Sequence, residues 1–198
     1  LGVFNQFSGI NALLYYAPKV FNMGGSTGDE ALLQSIPVGV MLVISTTLGL
    51  AVIDRVGRKA LLIIGSLGMA FFLTMVGIQF NNKGVADDIG ISIMIYFIGY
   101  ILFFGPSTGA VIWVFISEIF PNKIRSKGQA LGSFSVWVSA AVVTQLLPIS
   151  ASSKSIGPGY SFIFFALCMV AQAIFVWLVL PETKGLSLEE LQKKLSIK

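Results

Sequence analysis

The chain reads as an all-α, polytopic membrane protein of six transmembrane helices, and three observations carry that reading. Of its 198 residues, 55% are hydrophobic and only 11% charged, far from an ordinary soluble domain and incompatible with disorder. Six mostly apolar runs of about spanning length can be drawn, near residues 1–23, 31–53, 60–80, 89–117, 128–148 and 160–180. The charges sit in short connections and are sorted by side. One alternate set of connections holds Arg55, Arg58 and Lys59, then Lys123, Arg125 and Lys127, then Lys184, Lys193, Lys194 and Lys198. The other holds Lys19, Lys83 and Lys154 with Asp29, Glu30, Asp87 and Asp88. Because positive loops stay in the cytoplasm, connections 53–60 and 117–128 and the C-terminal tail are expected on that side of a multi-pass protein. The net charge of +4 is then a topology signal, and no nucleic-acid surface is needed to explain it.

Composition also excludes chemistry. With no histidine and Cys168 as the lone cysteine, the usual zinc sites, histidine-based triads and intrachain disulfides are out of reach, so no enzyme, cofactor or metal is expected. Leu1 already lies in an apolar segment, without an initiator methionine or signal-peptide layout. The expectation is an internal or C-terminal piece of a longer protein.

In the first run, Asn5, Gln6, Ser8 and Asn11 crowd around Gly9, followed by Tyr15-Tyr16-Ala17-Pro18. Gln6 and Asn11 would stand about 140° apart on a regular helix, so both line one opening only if the helix faces a cavity broadly or unwinds locally. Single amides in lipid often serve as interhelical glue, but a cluster beside a glycine favours a polar pathway. The second run has Ser45-Thr46-Thr47 as its polar patch and ends in the charged turn Asp54-Arg55-Val56-Gly57-Arg58-Lys59. In the third, Gly65, Gly68 and Ala70 suit close helix packing.

The fourth run is interrupted by Gly105-Pro106-Ser107-Thr108-Gly109 and continues through Trp113 to Glu118, the acid near the inner end of a span. Proline and close glycines at that depth require neighbours or a wet cavity to rescue the freed carbonyls, and interrupted membrane helices are where transporters bind solutes. A plain kink is the simpler alternative. The fifth run carries Trp137 near its middle, and the sixth is almost featureless and reads as a peripheral support helix. Beyond Pro181-Glu182-Thr183-Lys184-Gly185, a short amphipathic segment with a Leu188, Leu191 and Leu195 stripe is expected to lie on the cytoplasmic face. The division is thus a bundle over 1–185 and a cytoplasmic helix and tail over 186–198. The first and fourth runs each open a group of three, a layout like the three-plus-three inverted repeats of transporters.

Taken together, Gln6-Phe7-Ser8-Gly9-Ile10-Asn11 with Tyr15-Tyr16, the 54–59 turn, Trp113 through Ser117-Glu118-Ile119-Phe120-Pro121 to Arg125, and Pro181 through Gly185 resemble the sugar porters of the major facilitator superfamily. The motifs run in the family's order across essentially the whole chain and match helices seven to twelve, the C-terminal half. This resemblance implies a monosaccharide transporter, most simply for a hexose, working by alternating access in the bilayer with an N-terminal six-helix half, and with protons as partners if transport is proton-linked.

The resemblance further implies that Asn5, Gln6, Asn11, Trp113 and Trp137, with Phe104 beside the helix-ten break, contact the sugar. Amides match hydroxyls as donors and acceptors, and indoles stack on a C–H-rich face. It implies a gate at Tyr15 and Tyr16, moving with Gly105, Pro106 and Gly109, and an inner charge network of Asp54, Arg55, Arg58, Glu118, Arg125 and Glu182. The chain departs from the family at Asn5, where glutamine is usual, at Leu42, where asparagine is often found, and at Ala110 and Ile112, where prolines are common. A sugar sensor or binding subunit, and a transporter for a polyol or other small organic solute, are the alternative readings.

Overall fold

Each apolar run is helical, but the first is two helices and the fourth changes its winding midway. The computed structural model describes residues 1–82, 89–118, 120, 124–152, 157–180, 182 and 184, without the side chains of Ile89, Glu118, Ala151 and Ser152. The expected tail helix over 186–198 lies outside the described residues. In order, the elements are α1 (Gly2–Phe7), α2 (Ile10–Met23), α3 (Gly28–Val56), α4 (Arg58–Asn81), α5 (Ile89–Phe104), a π-turn (Gly105–Gly109), α6 (Ala110–Glu118), α7 (Arg125–Ser152) and α8 (Gly157–Val179). Five stretches among the described residues are long and apolar enough to cross a membrane: Gly28–Val56, Arg58–Asn81, Gly90–Ser117, Arg125–Ser150 and Gly157–Val179. At 6 and 14 residues, α1 and α2 are each too short to do so alone.

Helix ends follow local chemistry. Thr27 and Glu30 close a capping box at the start of α3, with the Glu30 carboxylate accepting the Thr27 N–H at 2.8 Å. Asp29 and Glu30 occupy its first turn and Arg55 its last, both signs suited to the helix dipole. At Gly57 the backbone takes φ 101°, so α3 passes into α4 with one residue between them. This conformation favours glycine, and a Cβ there would lie 2.7 Å from Glu182 Oε2 and push the carboxylate aside.

The main core joins α4 and α8 to α5 and α2 through Met69, Leu73, Phe97, Tyr100, Phe162 and Phe21. A smaller core of Ile53, Leu62, Val111, Phe115 and Val176 packs near the Gly57 turn. One face of α8, with Leu167, Trp177 and Leu178, is exposed, as suits a supporting helix. Its other face is less featureless than expected: Gln172 is fully buried there and its Nε2 donates to Thr108 Oγ1 at 3.2 Å.

The expected break at Gly105–Gly109 is a turn of π-helix, and the chain stays helical from Ile89 to Glu118. Pro106 has no N–H to donate, and its ring would crowd the carbonyl four residues back. Widening by one residue relieves the clash, a form common at functional sites. The Ala110 N–H bonds to Gly105 O, five residues back. Ser107 Oγ donates to Phe103 O at 2.5 Å and lies 3.3 Å from Phe104 O, so it serves carbonyls next to the one the proline crowds. Glycines let α3 and α4 close on this turn. A Cβ on Gly49 would come within 2.5 Å of Pro106 Cα, and one on Gly65 within 2.1 Å of Ser107 Cβ.

Replacing Gly65 by alanine is therefore expected to destabilise the protein by about 1–3 kcal/mol through overpacking. Gly28→Ala, at a position with nothing within 4 Å of an added Cβ, should stay within about 0.5 kcal/mol of the parent. Thermal unfolding of the purified variants in detergent measures both.

Candidate functional site

The site begins at the gap between α1 and α2. Gly9 takes φ 83°, a left-handed conformation that few side chains tolerate, and it turns the chain between two amide-bearing helix ends. Asn5 and Gln6 lie in α1, each 3% exposed, and Asn11 lies in the first turn of α2. A continuous helix would hold Gln6 and Asn11 apart. Across the break, Asn11 Nδ2 donates to Gln6 Oε1 at 2.8 Å. Local unwinding is thus how both reach one opening.

The break's own polar groups are satisfied from within the protein. Ser8 Oγ donates to Asn5 O at 2.5 Å and accepts the Ile10 N–H at 3.4 Å. From α5, the buried Tyr100 hydroxyl donates to Ser8 O at 3.1 Å and lies 3.3 Å from Ser8 Oγ. The Phe165 ring fills the space beside Gly9, where a Cβ would approach within 2.8 Å.

Facing the amides, the π-turn and the helices around it supply the other walls of a cleft of about 220 Å³. All six sugar-contact candidates line it: Asn5, Gln6, Asn11, Phe104, Trp113 and Trp137. Gly109 belongs to the same wall, and the Phe104 ring lies against it, 2.9 Å from where a Cβ would stand. Leu42, the position of an expected asparagine, also lines the cleft, one turn from Thr46. Trp113 and Trp137 are 45% and 58% exposed on its open side. Among the described residues the lining therefore offers amide donors and acceptors, one hydroxyl and two indole faces, with no ionisable side chain. It suits a neutral ligand rich in hydroxyls with an apolar face.

The gating candidates divide. Tyr15 is 63% exposed, whereas Tyr16 is half-buried against the main core, near Leu147 and Phe162, and neither lines the cleft. Adjacent residues on a helix stand about 100° apart, which separates the two rings. Gly105 packs on Ser45, and Pro106 on Gly49.

Four of the charge-network candidates gather at the Gly57 turn. Arg58 Nη1 meets Asp54 Oδ1 at 2.9 Å. The Glu182 carboxylate accepts the Arg58 and Lys59 N–H groups at 3.1 and 3.2 Å, capping the start of α4. Arg55 takes part through its carbonyl, which accepts Lys184 Nζ at 2.6 Å. Arg125 stands apart at the start of α7, its buried Nε and Nη2 without hydrogen-bond partners among the described residues. The Glu118 side chain lies outside them.

Sequence reasoning missed Tyr100, Gln172, Ile10, Leu14 and Val136, and saw Thr46 only as part of a polar patch. A phenol in an otherwise apolar run was the available signal for Tyr100. The aliphatic lining carried none.

The family model described as Sugar (and other) transporter matches residues 1–195. The D-xylose-proton symporter of Escherichia coli (strain K12) is 39% identical over 196 residues, covering 97% of this chain and 39% of the relative. The arabinose-proton symporter of Bacillus subtilis (strain 168) is 36% identical over 98% of this chain and 40% of the relative. The glucose facilitated diffusion protein of Zymomonas mobilis is likewise 36% identical, over 98% and 41%. The chain spans about two-fifths of the length of these curated relatives. Among solved structures, the major facilitator superfamily proton:xylose symporter XylE bound to 6-bromo-6-deoxy-D-glucose matches with a TM-score of 0.86 at 39% identity, over 98% of this chain and 41% of that one. An inward-open form of XylE from E. coli gives 0.77 at 35% identity, over 98% and 39%.

Two substitutions separate the polar contacts that hold the break from those that do not. Tyr100→Phe leaves the Ser8 carbonyl short of a donor and is expected to cost about 1–3 kcal/mol of stability. Gln172→Leu removes the bond to Thr108 together with the buried Gln172 Oε1, which has no hydrogen-bond partner among the described residues, and should change stability by no more than about 1 kcal/mol. Thermal unfolding in detergent tests the pair.

Proposed function

Because this chain belongs to the sugar (and other) transporter family, we propose that it is the C-terminal six-helix half of a monosaccharide transporter, a hexose carrier in the first instance, working by alternating access. The length supports a half: the chain spans about two-fifths of each relative, and its motifs follow the order of helices seven to twelve. The sixth span is the interrupted pair α1 and α2 counted as one, and the two interrupted segments each open a three-helix unit of the inverted repeat. Residues 1–185 form the bundle, and 186–198 the cytoplasmic tail.

The observation that carries the reading is the convergence of Asn5, Gln6, Asn11, Phe104, Trp113 and Trp137 on one cleft free of ionisable groups. They come from three distant stretches of sequence. Sugar hydroxyls replace the bond between Gln6 and Asn11 and engage Asn5, while the indoles cover the C–H face of the ring. The N-terminal half supplies the facing wall. As the halves rock, the Ser8–Gly9 break and the π-turn are the points that give, with Tyr15 and Tyr16 closing the outer side. The contacts of Asp54, Arg58 and Glu182, joined by Glu118 and Arg125, hold the inner side shut until it opens. The Arg58–Asp54 pair joins a nearly buried guanidinium to a carboxylate that is 78% exposed, so one partner can be rehydrated when the contact breaks.

Uptake of radiolabelled glucose, xylose and arabinose into transporter-deficient cells expressing the full-length protein tests this reading. Gln6→Ala and Trp113→Ala are expected to weaken sugar binding by about 1–3 kcal/mol, a rise in KM of roughly five- to 150-fold, at unchanged membrane expression. Unaltered kinetics in both would overturn the site. Uptake that survives a protonophore identifies a facilitator, and uptake that collapses identifies proton symport. Absence of uptake of all three sugars rejects the proposed substrate class.

A further inference from the structure

A second cavity, of about 460 Å³, opens behind the break, between α1, α7 and α8. We propose that this groove binds one acyl chain of a membrane phospholipid and that its occupancy bears on the cleft through the Ser8–Gly9 break. Val143, Leu147 and Phe165 form its buried floor, while Leu146, Ile149 and Phe164 are exposed along its rim. At about 1.5 Å per residue, the stretch 143–150 of α7 runs roughly 10 Å, two-thirds of one ~15 Å hydrocarbon leaflet.

Polarity is confined to one end. Ser161 Oγ lies 2.9 Å from Ser150 Oγ, and the ring of Tyr160 is exposed beside them. These residues stand where α7 ends at Ser152 and α8 begins at Gly157, the level at which a membrane helix meets its interface and tyrosine is favoured. An apolar trough with hydroxyls at its interfacial mouth has the same division as a phospholipid, with ester and headgroup above and tail below. Both flanking helices are apolar enough to span, so the tail enters sideways from the bilayer.

The floor of the groove is also the backing of the break. Phe7 precedes Ser8 and Gly9 and lines the groove, with its ring centroid 6.2 Å from that of Phe164. Phe165 lines it too and fills the space at Gly9. A seated chain therefore supports the rings that hold the break, and with it the spacing of Gln6 and Asn11. This second half of the proposal rests on the sugar-transport reading. The first does not.

The test uses the full-length protein in nanodiscs containing phosphatidylcholine with a diazirine in its tail, irradiated and mapped by peptide mass spectrometry. Labelling of residues 143–150 and 160–165 at least fivefold above that of the exposed Ile174, Trp177 and Leu178 is expected. Val143→Phe, which fills the floor, should remove that excess and shift the KM for sugar at least threefold. Ile149→Trp, at the exposed rim, provides the same reading if Val143→Phe does not fold. Even labelling along α8, or excess labelling that persists in the filled variant, overturns the lipid site whatever the transport data say. Site labelling with an unchanged KM in the filled variant overturns the link to the break.

Discussion

A polar backbone group in an apolar surrounding must find its partner inside the protein, and the rest of this structure depends on that constraint being met at two interruptions. At Ser8–Gly9 the freed groups are served by the Ser8 hydroxyl and by Tyr100 reaching across from α5. At Gly105–Gly109 they are served by Ser107 and a wider winding. Because both interruptions are satisfied, they are defined shapes rather than frayed ends. One turns two amides towards each other; the other carries Phe104, Gly109 and Trp113 to the facing wall. Glycines at 49 and 65 allow α3 and α4 to close on the second without a gap.

The end of the bundle at the Gly57 turn solves a similar problem with charge. The start of α4 presents N–H groups that have no intrahelical partners, and Glu182, distant in sequence, accepts two of them. Its carboxylate therefore acts on the backbone as well as belonging to a group of charged side chains. Gly57 leaves the space it needs, and Asp54 holds Arg58 on the same turn.

Much of this was legible in the sequence because it is local. Apolar run lengths and sorted charges mark the helices, and Gly9 among four polar side chains marks the first interruption. Resemblance to a family assembled the six cleft residues, which spacing alone could not have joined, since they lie on helices whose mutual packing no single segment encodes. Winding was not legible at Pro106: a missing N–H says that the regular ladder fails but not whether the chain opens or widens. Partners on other helices, Tyr100 and Gln172, were hidden for the same reason as the aliphatic lining, since their roles depend on what they face. Tyr15 and Tyr16, neighbours in sequence, read as a pair, yet the helix itself sets them on different sides.

On the proposed reading of the cleft as a sugar site, an arriving hydroxyl competes with the bond between Gln6 and Asn11. On that reading, an entering molecule has to displace one of these two amides from the other. A ligand with hydroxyls in both places loses nothing by the swap. One with a hydroxyl in only one place strands the other amide in a worse position than before it arrived. On that reading, rejection of a near-match exceeds what one missing contact would produce, and the discrimination is set by a bond within the protein itself.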